Sequence, residues 1–204
     1  MQVRNWMTEQ VETVGLDDDV ASVRERFRHR RIRQLPVMAD GRMVGIITDR
    51  DVRSATDPKT AVAAAMSPDP ITTTPGTPVE EAAALVRRHK IGALPVVEDG
   101  RLVGIVSESD LLQALVELCA VLEPTTLIEL ECAAGAEEIA RIRRVVDKHG
   151  GRVVWLSTAP SEEGGQRVAL RVRTAVGRSP EQDLEEAGFR VVASISGRGG
   201  AAAR

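Results

Sequence analysis

The sequence has few of the features that mark secreted or membrane proteins. Cysteine occurs only twice among 204 residues, at Cys119 and Cys132, which is too few for the disulfide framework of a small secreted domain. No apolar run reaches the roughly 18–20 residues that a membrane helix needs. The opening segment MQVRNWMTEQ also lacks the apolar core of a secretory signal. We therefore expect a cytoplasmic protein with reduced thiols and no membrane as partner.

Nucleic acid is not expected as a partner either. The formal net charge is −3, so the molecule as a whole has no positive field that would attract a polyanion. The basic run RERFRHRRIR at 24–33 is the exception. It lies on a predicted amphipathic helix, so its charged residues are expected on the solvent-facing side of that helix. The run also matches no nucleic-acid-binding motif.

Signatures of catalysis are also lacking. The three histidines, His29, His89 and His149, do not have the spacing of a metal site such as HExxH. The chain contains no G-x-S-x-G, P-loop or Rossmann glycine pattern. We therefore predict that the protein is not an enzyme, and we expect no catalytic residues, no metal ligands and no required cofactor.

A tandem duplication is the dominant feature of the chain. RIRQLPVMADGRMVGIITDRDV (31–52) aligns without a gap with KIGALPVVEDGRLVGIVSESDL (90–111) at an offset of 59, and 11 of the 22 positions are identical. The same offset pairs Met7 with Met66. Because similarity at a fixed spacing indicates a repeated structural unit, we predict two copies of one fold.

Each copy has the pattern of a β-α-β-β-α unit. A short extended piece precedes an amphipathic helix, and two apolar strands follow. Asp-Gly joins these strands, and this dipeptide between apolar runs is a strong hairpin signal. A second helix begins near Asp51 or Asp110. Units of this size bury little apolar surface alone, so we expect repeat 1 (1–61) and repeat 2 (62–122) to pack as a pseudo-two-fold pair.

The pattern changes after residue 124. The segment 125–197 has strand and helix signals in the order β-α-β-β-α-β, which is the ferredoxin-like order. The final residues, SGRGGAAAR, predict a disordered tail over 198–204. The fold class expected for the whole chain is therefore α+β.

One short motif occurs in both repeats and has two interpretations. GIITDRDV (45–52) and GIVSESDL (104–111) each place Thr or Ser three residues before Asp, where a new helix begins. That spacing is typical of a helix capping box. A hydroxyl and a carboxylate at a helix N-terminus also suit a nucleotide site. The two roles are compatible, because capping uses only part of the hydrogen-bonding capacity of each side chain.

The duplicated unit resembles the CBS domain, named after cystathionine β-synthase. The resemblance rests on Met-Thr at 7–8 and Met-Ser at 66–67, on LPV before the hairpin, on DGR-x-VGI, and on the closing Thr/Ser-x-x-Asp. It implies a Bateman module, a disc-like pair of CBS domains that is often a homodimer and has up to two clefts for adenine nucleotides. The implied ligands are AMP, ADP and ATP, and ATP would bring Mg²⁺ with it.

The C-terminal segment resembles an ACT domain, a small ligand-binding or dimerising regulatory fold. This second resemblance rests on the element order and on Gly135. The order CBS–CBS–ACT is similar to that of the acetoin-utilisation regulatory proteins. The residues around Gly135, CAAGAEEI, lack the Asp found in many amino-acid-binding members. Pairing of edge strands between subunits is therefore the expected role.

The CBS resemblance implies which residues contact the nucleotide. Asp51 would accept hydrogen bonds from the ribose hydroxyls of one cleft, with Thr48 facing the ribose or phosphate. Ser107 and Asp110 would do the same in the other cleft. The complete set of implied nucleotide-binding residues is Thr13, Arg33, Thr48, Arg53, Thr72, Ser107, Asp51 and Asp110.

Basic residues for the phosphates differ between the repeats. Arg33 of repeat 1 corresponds to Gly92 of repeat 2, and arginines stand on both sides of Asp51 whereas Glu and Ser precede Asp110. We therefore expect the Asp51 cleft to bind phosphates better, with Lys90 reaching it from the other repeat.

These features predict a regulatory protein that senses adenine nucleotides and transmits their binding through its dimer or its ACT-like domain. A regulated enzyme or transporter would be the further partner. Two alternatives stay open. In one, the clefts bind nothing and the domains only assemble partners. In the other, the ACT-like segment senses an amino acid.

Overall fold

The chain is an α+β protein that divides into two units. The computed structural model describes residues 1–161, 164–175 and 179–196, so the predicted tail at 198–204 lies outside the described residues. The first unit, Met1–Leu115, contains both repeats, and the second begins at Val116. Each repeat has its own hydrophobic core, and the second unit has a third.

Repeat 1 forms the predicted β-α-β-β-α unit. Its elements are β1 (Val14–Gly15), α1 (Val20–Arg30), β2 (Gln34–Ala39), β3 (Arg42–Thr48) and α2 (Asp49–Ser54), followed by α3 (Val62–Ala65) and β4 (Ser67–Pro68). The sheet order is β1-β2-β3-β4, with β1 parallel to β2 and the other pairs antiparallel. Asp40 and Gly41 form the β2–β3 turn with φ angles of 49° and 74°, the left-handed values that a type I′ hairpin turn requires.

Repeat 2 has the same layout apart from its first strand. Its elements are α4 (Val79–His89), β5 (Ala93–Glu98), β6 (Arg101–Ser107) and α5 (Glu108–Leu118). Strands β5 and β6 form an antiparallel hairpin, and Asp99 and Gly100 repeat the type I′ turn with φ angles of 50° and 75°. The predicted first strand is shortened to a single parallel bridge between Thr73 and Val96, which is equivalent to the pairing of Val14 with Val37 in repeat 1. Pro75 follows closely and has no N–H with which to extend a ladder.

The two repeats exchange the segments that precede them. Val3 is fully buried in the core of repeat 2, where Trp6 and Met7 pack beside it. Val62 and Met66 pack in turn into the core of repeat 1, and β4 adds a strand to its sheet. The predicted boundary between 61 and 62 separates the sequence repeats, but each folded core takes a segment from across that boundary. This reciprocal packing holds the pair together as one unit.

Two equivalent glycines make room for the exchanged methionines. A Cβ atom at Gly45 would lie 2.5 Å from Met66 Sδ and 3.0 Å from the carbonyl oxygen of Ser67. A Cβ atom at Gly104 would lie 2.7 Å from Met7 Sδ and 3.1 Å from its Cγ. The second glycine of the DGR-x-VGI motif, which is Gly45 in repeat 1 and Gly104 in repeat 2, is therefore required for packing.

The second unit has the predicted β-α-β-β-α-β order. Its elements are β7 (Thr126–Cys132), α6 (Ala136–Lys148), β8 (Arg152–Pro160), β9 (Gln166–Arg173), α7 (Pro180–Glu186) and β10 (Arg190–Ser196). Its strands form one sheet in the order β10-β7-β9-β8, with every neighbouring pair antiparallel, which is a ferredoxin-like arrangement. Ile142 of α6 and Leu184 of α7 pack on the buried residues of β7 and β9. Strands β8 and β10 are left at the two edges.

Replacing Gly104 by alanine tests the exchanged packing. The added methyl group would overlap the side chain of Met7, so we expect the free energy of unfolding to fall by about 1–3 kcal/mol, measured by urea denaturation. Gly15→Ala is the matched control, because a Cβ there meets nothing within 4 Å. If the two variants are equally stable, Met7 does not pack against Gly104.

Candidate functional site

The Thr48–Asp51 pair caps α2 with one oxygen of the carboxylate. Thr48 donates to Asp51 Oδ2 from its backbone N–H at 2.8 Å and from its hydroxyl at 2.7 Å. The same hydroxyl accepts from the Asp51 N–H at 3.4 Å, which completes a capping box. Asp51 Oδ1 has no hydrogen-bond partner among the described residues, and the side chain is only half-buried. The capping box therefore leaves one carboxylate oxygen available to a ligand.

Repeat 2 reproduces this arrangement at the start of α5. Ser107 donates to Asp110 Oδ2 from its backbone at 2.8 Å and from its hydroxyl at 2.6 Å. The hydroxyl accepts from the Asp110 N–H at 3.2 Å. Oδ1 of Asp110 likewise has no partner in the part of the chain that the structure describes. The duplicated motif thus gives two equivalent corners.

A cavity of about 400 Å³ opens beside Thr48 and Asp51, and we call it the first cleft. Its opposite wall comes from repeat 2, where His89 and Lys90 end α4 and Ala93 begins β5. The segment 67–71, which connects the repeats, also lines it. Since both repeats contribute to its walls, this cleft depends on their packing together.

The second cleft is a cavity of about 540 Å³ beside Ser107. Arg31, Arg33 and Gln34 of repeat 1 form its opposite wall, and they correspond to Lys90, Gly92 and Ala93 at the offset of 59. The two clefts are thus related by the pseudo-two-fold symmetry of the pair. Asp110, unlike Asp51, is not among the residues that line its cavity.

The two clefts differ in their charged side chains. Basic residues at the first are Arg50, His89 and Lys90, and its acidic residues are Asp49, Asp51 and Asp69. At the second, Arg31 and Arg33 face Asp49 and Glu108. Each cleft therefore combines cationic and anionic side chains.

The structure changes the place of one predicted phosphate contact. Arg33 lines the second cleft, whereas the sequence assigned it to the cleft of Asp51. The physical reason is the crossing of the chain: the segment between α1 and β2 faces the motif of the other repeat. Arg33 therefore gives the Asp51 cleft no advantage.

Three further predicted residues are not brought into the clefts. Arg53 donates to the Asp49 carbonyl at 3.2 Å and pairs with its carboxylate at 2.9 Å. Thr13 accepts a hydrogen bond from Arg26 through its backbone carbonyl at 2.9 Å, and Thr72 is exposed. None of the three lines either cavity.

Two basic residues that line the clefts, Arg31 and His89, were not predicted as phosphate contacts. Arg31 is the C-cap of α1 and Lys90 the C-cap of α4, with left-handed φ angles of 55° and 53°. The expectation that Lys90 crosses to the other repeat, combined with the repeat offset, would have identified Arg31. No comparable signal pointed to His89.

The second unit has a cavity of its own beside the β7–α6 loop. It measures about 560 Å³ and is lined by Glu131, Cys132, two alanines and two glycines, together with Arg190. Glu131 pairs with Arg167 and Arg190, each at 3.2 Å. Gly135 follows the loop as the N-cap of α6 with a φ angle of 137°. This loop is where the ACT resemblance places an amino-acid site.

The described residues show no sign of two other kinds of site. Within 1–161, 164–175 and 179–196, no group of three or more His, Cys, Asp or Glu side chains is placed to hold a metal ion. No helix in this part of the chain is long and apolar enough to cross a membrane. Cys119 and Cys132 are free thiols.

Comparison with known proteins identifies the family. The CBS domain model matches residues 3–57 and 62–117, which together exceed half of the chain. The chain belongs to the CBS-domain family. A CBS domain-containing protein of Dictyostelium discoideum is 37% identical over 139 residues, covering 60% of this chain and 94% of that protein. The match to an inosine-5′-monophosphate dehydrogenase of Korarchaeum cryptofilum, 37% identical over 110 residues, spans 53% of this chain but only 23% of that enzyme.

Solved structures resemble the CBS pair. The AcuB protein of Vibrio cholerae is 26% identical with a TM-score of 0.55, covering 60% of this chain and 96% of that one. CBSX2 in complex with AMP is 28% identical with a TM-score of 0.51, covering 57% and 96%. The CBS pair of protein MJ0100, in complex with 5′-methylthioadenosine and S-adenosyl-L-methionine, is 26% identical with a TM-score of 0.54, covering 57% and 97%.

Removing the Thr48 hydroxyl tests the capping box. Thr48→Val keeps the shape of the side chain but removes both hydrogen bonds of the hydroxyl, so we expect a stability loss of about 1 kcal/mol, measured by thermal unfolding. Thr72→Val serves as control, because this side chain is exposed and lies outside the capping box of α2. Equal stability of the two variants would show that the hydroxyl does not stabilise α2.

Proposed function

We propose that this CBS protein senses adenine nucleotides in its two clefts and acts as a regulatory module rather than an enzyme. The observation that supports this most directly is the unpartnered Asp51 Oδ1 beside a cavity of about 400 Å³, a volume typical of small-molecule sites. Ribose offers two neighbouring hydroxyl donors, and an ionised carboxylate only accepts. Hydrogen bonds to a charged acceptor are also the stronger ones.

The phosphate groups would lie against the basic residues of the clefts. In the first cleft these are Arg50, His89 and Lys90, which favours AMP, ADP or ATP over an uncharged nucleoside. ATP would bind with its Mg²⁺. Arg31 and Arg33 would take this role in the second cleft.

We expect the first cleft to bind more tightly. Its carboxylate, Asp51, lines the cavity, whereas Asp110 does not line the second. In the second cleft Glu108 and Asp49 lie near the two arginines, so part of the positive charge is offset. We therefore still expect tighter nucleotide binding in the first cleft, as the sequence predicted, but the reason is the position of Asp51 and not Arg33.

The ligands of structural neighbours support an adenosine-containing ligand. CBSX2 was solved with AMP, and the CBS pair of MJ0100 with 5′-methylthioadenosine and S-adenosyl-L-methionine. All of these molecules contain adenosine. We propose AMP, ADP or ATP for this chain because basic side chains line both clefts.

Ligand binding would act on the arrangement of the repeats. Each cleft has walls from both repeats, so a ligand that prefers one arrangement shifts the population toward it by its differential affinity. We propose that the signal reaches a regulated enzyme or transporter in the cytoplasm through a homodimer and through the second unit as an ACT-like domain. Edge strands β8 and β10 would then pair between subunits.

Calorimetric titration with AMP, ADP and Mg²⁺–ATP tests this function. The variant Asp51→Asn with Asp110→Asn keeps an oxygen that can accept from Thr48 and Ser107 but loses both charges. We expect its dissociation constant to rise about tenfold or more. Asp51→Asn alone should weaken binding more than Asp110→Asn alone.

The matched control is Asp40→Asn with Asp99→Asn. These aspartates are also equivalent in the two repeats, but they lie in the hairpin turns and line neither cleft. Their substitution should leave nucleotide affinity unchanged. Binding that survives the Asp51 and Asp110 substitutions intact would contradict the proposed site.

The cavity at the β7–α6 loop supports a second candidate function, which is amino-acid sensing by the second unit. Its volume of about 560 Å³ would hold a free amino acid. Calorimetric titration with amino acids and with nucleotides distinguishes the two candidate functions. Heat with an amino acid and none with nucleotides would favour the loop cavity, and heat with neither would favour a module that only assembles partners.

A further inference from the structure

The two clefts share part of their walls. Four residues line both cavities, and we call them the shared wall: Gln34, Asp49, Gly92 and Ala93. Gln34 begins β2 and Ala93 begins β5, and these two positions are equivalent in the repeats. The clefts therefore meet where the starts of the two hairpins face each other, so two bound ligands would be neighbours.

The phosphates of the proposed ligands would approach the shared wall from both sides. Arg33, at the second cleft, directly precedes Gln34 in the chain. Lys90, at the first cleft, comes two residues before Gly92. Two nucleotides whose phosphates contact these basic residues would therefore both reach the shared wall.

Gln34 is the residue of the shared wall that can donate to a phosphate from its side chain. Its amide makes no hydrogen bond with any described residue, and the other three residues have no side-chain donor when Asp49 is ionised. A Cβ atom built on Gly92 would lie 3.5 Å from Gln34 Nε2 and 3.9 Å from Oε1, so both ends of the amide lie against repeat 2. The equivalent of Gln34 is Ala93, so the pair has one such amide.

A carboxamide has different chemistry at its two ends. The nitrogen donates hydrogen bonds, and the carbonyl oxygen only accepts them. If the Gln34 amide turns its nitrogen toward a phosphate in one cleft, its oxygen turns toward the other cleft. A second phosphate there would meet an acceptor in place of a donor, and two acceptors do not form a hydrogen bond.

We infer that Gln34 couples the two clefts, so that a nucleotide in one cleft weakens nucleotide binding in the other. The coupling rests on the proposed function, because it needs nucleotides in both clefts. Coupling between binding sites is reciprocal, so each nucleotide weakens the other by the same factor. A sensor of this kind responds over a wider range of nucleotide concentration than one with two identical, independent clefts.

Calorimetric titration of the full chain with AMP measures the coupling. Asp51→Asn with Lys90→Ala disables the first cleft, and neither residue lines the second. The dissociation constant of the second cleft in this variant should be about fivefold lower than that of the weaker binding step in wild type. The reason is that an empty first cleft leaves the nitrogen of the Gln34 amide free for the second.

Two substitutions of Gln34 test whether its amide carries the effect. Gln34→Ala gives repeat 1 the residue of repeat 2, and Gln34→Leu keeps most of the volume but removes donor and acceptor. In both, the ratio of second-cleft dissociation constants, with the first cleft filled or disabled, should fall to about 1. Gln113→Ala should keep the wild-type ratio, because this exposed glutamine lines neither cleft. Circular dichroism confirms that each variant is folded.

Three results would overturn the coupling: equal second-cleft affinity in wild type and in the disabled variant, a disabled variant that binds no AMP, or an unchanged ratio in either Gln34 variant. The same titrations separate these outcomes from the proposed function. No heat with any nucleotide would remove the proposed function and the coupling together, whereas two independent binding steps would remove only the coupling.

Discussion

The carboxylates of Asp51 and Asp110 divide their two oxygens between structure and ligand. In each, Oδ2 accepts two hydrogen bonds from the Thr or Ser three residues earlier, and Oδ1 accepts none from the described residues. The capping box orients the carboxylate but leaves the hydrogen-bonding capacity of Oδ1 free. The rest of the site depends on this division, because it leaves Asp51, which lines the first cleft, one charged oxygen that can accept from a ribose.

Exchange of the leading segments explains why the repeats form clefts together. Met7 packs against Gly104 and Met66 against Gly45, so each core is completed by the segment that precedes the other repeat. The same exchange places the C-terminal end of α1 beside Ser107 of repeat 2, and the C-terminal end of α4 beside Thr48 and Asp51 of repeat 1. The pseudo-two-fold symmetry gives two clefts, and sequence divergence between the repeats gives these clefts different charged side chains.

Much of this architecture could be predicted from local sequence signals. The repeat, both Asp-Gly hairpins, the capping boxes and the order of elements in the second unit each depend on residues close in sequence. Most errors arose where side chains meet across the pair: Arg33 lines the opposite cleft. Arg53 is different, because it pairs with Asp49 of its own helix, four residues earlier. Val3 belongs to the core of repeat 2, and a single sequence contains no direct signal for such distant contacts.

The most direct test of the account is a crystal structure of the protein soaked or grown with AMP. We predict that the nucleotide lies in the first cleft, with a ribose hydroxyl within hydrogen-bond distance of Asp51 Oδ1 and the phosphate near Lys90. The Thr48 hydrogen bonds to Oδ2 should remain unchanged. AMP bound with its ribose away from both aspartates, or Asp51 rotated out of its capping box to reach the ligand, would contradict the division of the carboxylate on which the account is built.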